Sequence, residues 1–398
     1  MEDSYAAGPR TRPRGSARCY NPRVRGRRNR SDGPPAGPPR DRWADHARGL
    51  GIVLVVYGHV ARGLMNAGVL PRGGFWLRLD EAIYAFHMPL FFFLSGLYLV
   101  PSLRKRGRLG VALSKVDTIL YPYLLWTLLH GSARLLMNGH TNHGTLGVQE
   151  VLAFWVPLDQ FWFLFGLFFV FLLALAPWPL PRGRRGRRLL VPLLLYGSLL
   201  LYATRGQLPL AWQQVYVVPF AVYFALGAAY AGLTARLPAW KTTLGCAGLG
   251  AALLVFLVLR HGDELLNPWG AFAPSGRTLL LATAGILLTV ATARLTARLR
   301  APGLAALGAA SLLIYVSHTV FAAGARIALQ RTLGVEDPAV HLALGLAAGL
   351  GVPTGLLWLF GDRRLSFLLR TPAPLRVTRM LEPREPAQPE PRPRPAAA

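Results

Sequence analysis

The sequence predicts an all-α integral membrane protein, a polytopic bundle of about ten transmembrane helices with both chain ends on the cytoplasmic side. Three observations carry this. Hydrophobic residues make up 53% of the chain and charged residues 16%, against about 25% charged in a soluble domain. The apolar residues come in blocks of roughly 18–25, long enough to cross the hydrocarbon core as helices, and the alternation of a β-barrel is absent. The formal net charge of +26 is not spread as a nucleic-acid stripe. Arginine collects in the tails and in alternate short loops, which is the positive-inside pattern.

The apolar blocks place spans near residues 49–67, 82–101, 117–137, 160–178, 189–204, 213–232, 243–260, 277–296, 304–328 and 340–360. With the N-terminus inside, the loops after every second span are cytoplasmic. They hold Arg104, Lys105, Arg106 and Arg108, then Arg182 to Arg188, then Arg236 and Lys241, then Arg294, Arg298 and Arg300. Arg363 and Arg364 follow the last span, and the outer loops contain Asp263, Glu264, Glu336 and Asp337. Residues 1–41 read as a disordered basic cytoplasmic tail, 42–362 as the membrane domain and 363–398 as a Pro/Arg-rich cytoplasmic tail, disordered from 371 onward. The first apolar run begins near residue 49, too late for a secretory signal. Cys19 and Cys246 lie too far apart in character, one in the tail and one in a span, to suggest a disulfide. No histidine spacing suggests a metal site, and no phosphate loop or dinucleotide fingerprint is present.

Ionisable side chains inside a bilayer are costly and point to function. His59, His87 and His318 all fall within expected spans, between the midplane and the outer third. Arg48 precedes His59 by about three helical turns, so the two share a face to within about 20° at an axial separation of about 16 Å. That face carries a cation at the inner surface and a proton acceptor deep in the membrane. An extended donor, with phosphates at one end and a reactive acyl group at the other, fits it. Arg48 reads equally as an inner-surface anchor that snorkels, and His59 as a histidine satisfied by a neighbouring helix. Ser311, Tyr315 and His318 share a helix face and are equally consistent with helix–helix hydrogen bonding. Trp126, Trp162, Trp212, Trp269 and Trp358, at or near span ends, read as interfacial anchors.

Several stretches resemble the membrane acyltransferase-3 family. They are Asp45-His46-Ala47-Arg48 followed by Tyr57-Gly58-His59, then Phe86-His87-Met88-Pro89-Leu90-Phe91-Phe92-Phe93-Leu94-Ser95-Gly96. Tyr121-Pro122-Tyr123 with Trp126, Phe161-Trp162-Phe163-Leu164, and Phe220 to Phe224 with Gly227 come next. Last is Ser311-Leu312-Leu313-Ile314-Tyr315-Val316-Ser317-His318. They run in family order over about residues 42 to 360, nearest the branch of sugar O-acetylases and fucose 4-O-acetylase-like proteins.

The resemblance implies an O-acyltransferase of the cell (inner or plasma) membrane. It would move an acyl group, typically acetyl, from cytoplasmic acyl-CoA to a hydroxyl of a sugar, surface polysaccharide or glycolipid at the outer side. Acyl-CoA is a co-substrate, and no bound cofactor, metal or nucleic acid is expected. His59 would be the catalytic base. Arg48, Asp45 and Lys115 would bind the donor or organise the site, and His87, Trp162, Ser311, Tyr315 and His318 would line the cavity. In place of the arginines that many relatives carry before the Pro-Tyr of the third helix, this chain has Ser114-Lys115-Val116-Asp117, where only Lys115 is positive and Asp117 opposes it. The competing reading is a transporter or flippase for a polar lipid-linked sugar, which the mid-membrane histidines also fit, although no inverted repeat is visible.

Overall fold

A computed structural model describes residues 42–138, 145–176, 184–209, 211, 215–261 and 275–381. The expected tail 1–41, Cys19, Trp212, Trp269 and the stretch beyond 381 lie outside these residues. Among the described residues there is no strand. The helices are α1 (Trp43–Asn66), α2 (Gly74–Tyr84), α3 (His87–Gly96), α4 (Leu99–Lys115), α5 (Tyr121–Leu136), α6 (Val148–Leu152) and α7 (Trp162–Leu175). They continue as α8 (Arg184–Thr204), α9 (Val218–Thr234), α10 (Ala239–His261), α11 (Gly276–Arg298), α12 (Pro302–Ile327) and α13 (Pro338–Leu369).

Helices fall in each of the ten expected stretches, but not all of them reach the length of a span. Among the described residues six are long and apolar enough to cross a bilayer, and seven if the pair Gly74–Gly96 and Leu99–Leu136, bent by 63°, is one span. Two expected spans are short helices: α7 has 14 residues and α9 has 17, against about 20 for a perpendicular crossing. Pro89 sits in the first turn of α3, where its missing N–H breaks no helical bond, and the chain breaks before it, at Ala85–Phe86.

Helix α1 is the hub, packing on α11, α12 and α13, while α3 packs on α9, α8 on α9 and α10 on α11. Glycine makes the closest crossings possible. A Cβ on Gly49 would meet the carbonyl of Leu304, and one on Gly308 the carbonyl of Asp45, so the lower half of α1 lies backbone to backbone against α12. Gly96 and Gly227 do the same reciprocally for α3 and α9, against the carbonyls of Phe224 and Phe93. Gly227→Val is expected to push these two helices apart and to cost at least about 3 kcal/mol, the upper end for overpacking. Loss of monodisperse protein in detergent checks this.

The C-terminal segment departs from the sequence expectation. Residues 371–381, read from composition as disordered, are docked. The buried Asp117 carboxylate accepts from the backbone N–H of Val377 at 3.0 Å and of Thr378 at 3.2 Å, and from the Thr378 hydroxyl at 2.8 Å. The Thr371 N–H donates to the Asp117 carbonyl at 3.0 Å. Upstream, Tyr121 donates to the carbonyl of Phe367 at 2.9 Å, and Trp126 to that of Leu368 at 2.8 Å. Composition missed this because backbone donors and two threonines, not apolar side chains, hold the segment. Asp117→Ala orphans these donors at a cost of about 1–3 kcal/mol. Faster tryptic cleavage at Arg376 and Arg379 is the expected readout.

Candidate active site

Each of the three intramembrane histidines turns one ring nitrogen back onto its own helix. His59 Nδ1 lies 3.0 Å from the carbonyl of Val55, His87 Nδ1 lies 2.8 Å from that of Ile83, and His318 Nδ1 lies 2.9 Å from those of Ile314 and Tyr315. A carbonyl oxygen only accepts, so Nδ1 carries the hydrogen in each neutral ring and Nε2 carries the lone pair. In His87 and His318, both fully buried, Nε2 is enclosed without a hydrogen-bond partner among the described residues. His59 differs: it keeps accessible surface and borders a cavity. The His318 ring stands against it edge to face, centroids 4.9 Å apart.

The cavity has a volume of about 920 Å³. Among the α1 residues on its wall His59 is the first, followed by Val60, Arg62, Gly63, Leu64 and Asn66, so His59 forms the floor and the cavity extends toward the C-terminal end of α1. Its aromatic side is Trp162 stacked on Tyr216 at 5.6 Å and tilted against Phe220 at 5.1 Å, with Tyr84 and Tyr202 also on the wall.

Its polar side was not legible as a site in the sequence. Arg62, one turn beyond His59, donates Nε–H to Asp80 at 2.8 Å and lies over the Tyr84 ring at 3.2 Å. Arg134 of α5 bonds both carboxylate oxygens of Asp159, at 2.9 and 2.8 Å. Asp159 holds a positive φ of 44°, a conformation that aspartate tolerates better than most residues. His130 places Nδ1 3.6 Å from the same carboxylate and Nε2 3.3 Å from the Thr319 hydroxyl. Gln160 donates to Thr319 at 3.0 Å. All of these except Asp80 border the cavity. Arg62 carried a readable signal, since it lies on the His59 face at i+3.

The sequence-derived set is therefore divided. His59 and Trp162 border the cavity, whereas His87, Ser311, Tyr315 and His318 do not. His318 supports the ring of His59 from behind, His87 packs on Tyr84 at 4.6 Å between centroids, and the Tyr315 hydroxyl donates to the carbonyl of Gln160. Burial within the bundle keeps His87, Tyr315 and His318 off the wall.

Arg48 and His59 do not share a chamber. Arg48 donates to Asp45 at 2.7 Å, each side chain about a quarter exposed, and stands 5.4 Å from the centroid of Tyr98. The glycine contacts of α1 with α12, at Asp45 and Gly49, bring α12 against α1 at the level of Arg48. Lys115 lies 4.1 Å from the Phe171 ring centroid and is also off the cavity wall.

The Nodulation protein NolL of Sinorhizobium fredii (strain NBRC 101917 / NGR234) is 30% identical over 136 residues, covering 34% of this chain and 36% of that protein. NolL of Mesorhizobium japonicum (strain LMG 29417 / CECT 9101 / MAFF 303099) is 37% identical over 107 residues, covering 26% and 27%. The chain thus spans about a third and about a quarter of the lengths of these curated relatives. No solved structure matches it. The family model described as an acyltransferase domain matches residues 41–358, the whole apolar bundle from the start of α1 into α13, and on that match this multi-pass membrane protein belongs to the membrane acyltransferase-3 family.

Proposed function

We propose that the protein is a membrane O-acyltransferase. It transfers an acyl group, acetyl in the simplest case, from acyl-CoA to a hydroxyl of a sugar, surface polysaccharide or glycolipid, with His59 as general base. It sits in the cell membrane with about ten crossings and both ends inside, an orientation supported by the basic residues in alternate loops. One observation carries the reading: the imidazole at the cavity floor has its basic nitrogen directed away from its own helix bond and its surface open to the cavity.

The chemistry follows from that nitrogen. The acceptor O–H gives its proton to His59 Nε2 as its oxygen attacks the thioester carbonyl. A C–O bond forms, the C–S bond breaks, and the imidazolium returns the proton to the departing thiolate. Arg62, one turn away and fixed by Asp80, supplies positive charge for the developing oxyanion. The wall of Trp162, Tyr216 and Phe220 fits the apolar face of a sugar ring. His318 holds the base in place.

Acyl-CoA phosphates are assigned to the inner surface at Arg48, whose side chain stays partly exposed beside Asp45, with Lys115 near the same end. Arg48 stands about 16 Å along α1 from His59 and off the cavity wall, so the acyl arm reaches the base only when the helices packed along α1 part. Arg48→Ala is expected to raise KM for acyl-CoA about tenfold, the value of one charge-assisted contact, while kcat stays near wild type. The general test supplies labelled acetyl-CoA and an extracted envelope glycan to purified protein. New ester on the glycan supports transfer. Movement of a lipid-linked sugar across vesicles without ester formation supports a transporter instead.

A further inference from the structure

The charges around the cavity do not balance. Three arginines, Arg62, Arg134 and Arg326, and a single carboxylate, Asp159, border it. Arg62 is neutralised from behind by Asp80 at 2.8 Å, and Arg134 by Asp159 at 2.8 Å. Arg326 has neither. Its only hydrogen bond among the described residues goes to the neutral side-chain oxygen of Gln330, at 3.3 Å, and its side chain is only partly exposed. A cation on the wall of an apolar bundle without a counter-ion is costly, and an anionic ligand removes that cost.

The height of Arg326 follows from helix register. A Cβ on Gly349 would lie 3.6 Å from His318 Cβ, so α13 at Gly349 is level with α12 at His318. The two helices run in opposite directions along a shared interface. Eight residues on from His318 is Arg326, and eight back from Gly349 is His341. Both border the cavity, about 12 Å beyond the level of the His59–His318 pair. The aromatic wall of Trp162 and Tyr216 borders the same space.

We propose that Arg326 is an anion subsite for the acceptor. The molecule whose hydroxyl reaches His59 carries a carboxylate or phosphate on a neighbouring unit, and the guanidinium holds that group at the far end of the cavity. The acceptor class is thus an acidic glycan or a phosphate-linked one rather than a neutral sugar. The proposal rests on the acyl-transfer reading for the identity of the ligand as acceptor.

The test is a binding experiment that needs no turnover. Purified full chain in nanodiscs is titrated with cellobiouronic acid and with cellobiose, an acidic disaccharide and its neutral counterpart. The acid is expected to bind about tenfold more tightly, the difference made by one hydrogen bond to a charged group. Arg326→Gln is expected to abolish the preference, and Arg326→Lys to keep part of it. Acetyl-CoA affinity is expected to be the same in wild type and Arg326→Gln. Equal binding of the two disaccharides by wild type overturns the proposal, and so does a preference that survives Arg326→Gln. A loss of acetyl-CoA affinity in that variant overturns it too, by assigning the anion site to the donor. Should His59→Ala retain transfer, the reaction reading fails alone, because the disaccharide preference is read independently of it.

Discussion

Replacing His59 with alanine is expected to reduce acyl transfer by about 10²–10⁴-fold, the contribution of a positioned general base, while the protein remains folded in the membrane. The fold should tolerate the change because His59 borders the cavity rather than filling the core, and its hydrogen bond to Val55 goes to a carbonyl of its own helix. Single-turnover transfer from labelled acetyl-CoA, alongside size-exclusion behaviour in detergent, separates lost chemistry from lost structure. Wild-type activity in a folded His59→Ala protein would remove the base from the mechanism. A base acting as the neutral imidazole also fixes the sign of the pH dependence. Transfer is lost as pH falls and the ring protonates. A rate that does not fall at acid pH contradicts the role.

Asp159→Ala is the second large effect. The carboxylate receives Arg134 on both oxygens and faces His130, and all three groups are largely withdrawn from solvent. Removing it leaves a partly buried guanidinium unpaired, at about 3 kcal/mol, the low end for breaking a buried ion pair. It also frees a backbone held at positive φ, for which alanine is a poorer occupant than aspartate. The turn at Asp159–Phe161 leads directly into α7, so Gln160 and Trp162 should lose their fixed positions together. A lowered melting temperature and a reduced kcat/KM are expected. The double variant Arg134→Ala with Asp159→Ala should recover part of the stability, since no lone charge remains. Failure of the double variant to recover any stability would show that backbone strain, not charge pairing, governs the site.

What was legible in the sequence divides along the range of the interactions. Helix content and membrane class follow from composition and from blocks of apolar residues, because a bilayer forces every backbone group into local hydrogen bonds. His59, and its tie to Val55, is likewise a matter of one helix and its period. The sharing of a face by Arg48 and His59 is a local fact too, and correct as geometry. It did not make one chamber, because Gly49 and Gly308 bring α12 onto the lower half of α1, and the close approach of two helices is not written in either one.

The groups that complete the cavity and those that dock the C-terminal segment were hidden for the same reason. His130 meets Thr319 across 189 residues, and Asp117 takes its partners from Val377 and Thr378, about 260 positions away. Their neighbours in the chain give no hint of these pairings. By itself the sequence determined that this is a helical membrane protein with an imidazole deep in its first helix. Only the tertiary structure decided which of the three intramembrane histidines His59, His87 and His318 borders the cavity, and that Arg326 pairs with no carboxylate among the described residues. The physical reason is that burial and charge pairing are properties of the packed bundle, whereas hydropathy and helical period belong to each segment alone.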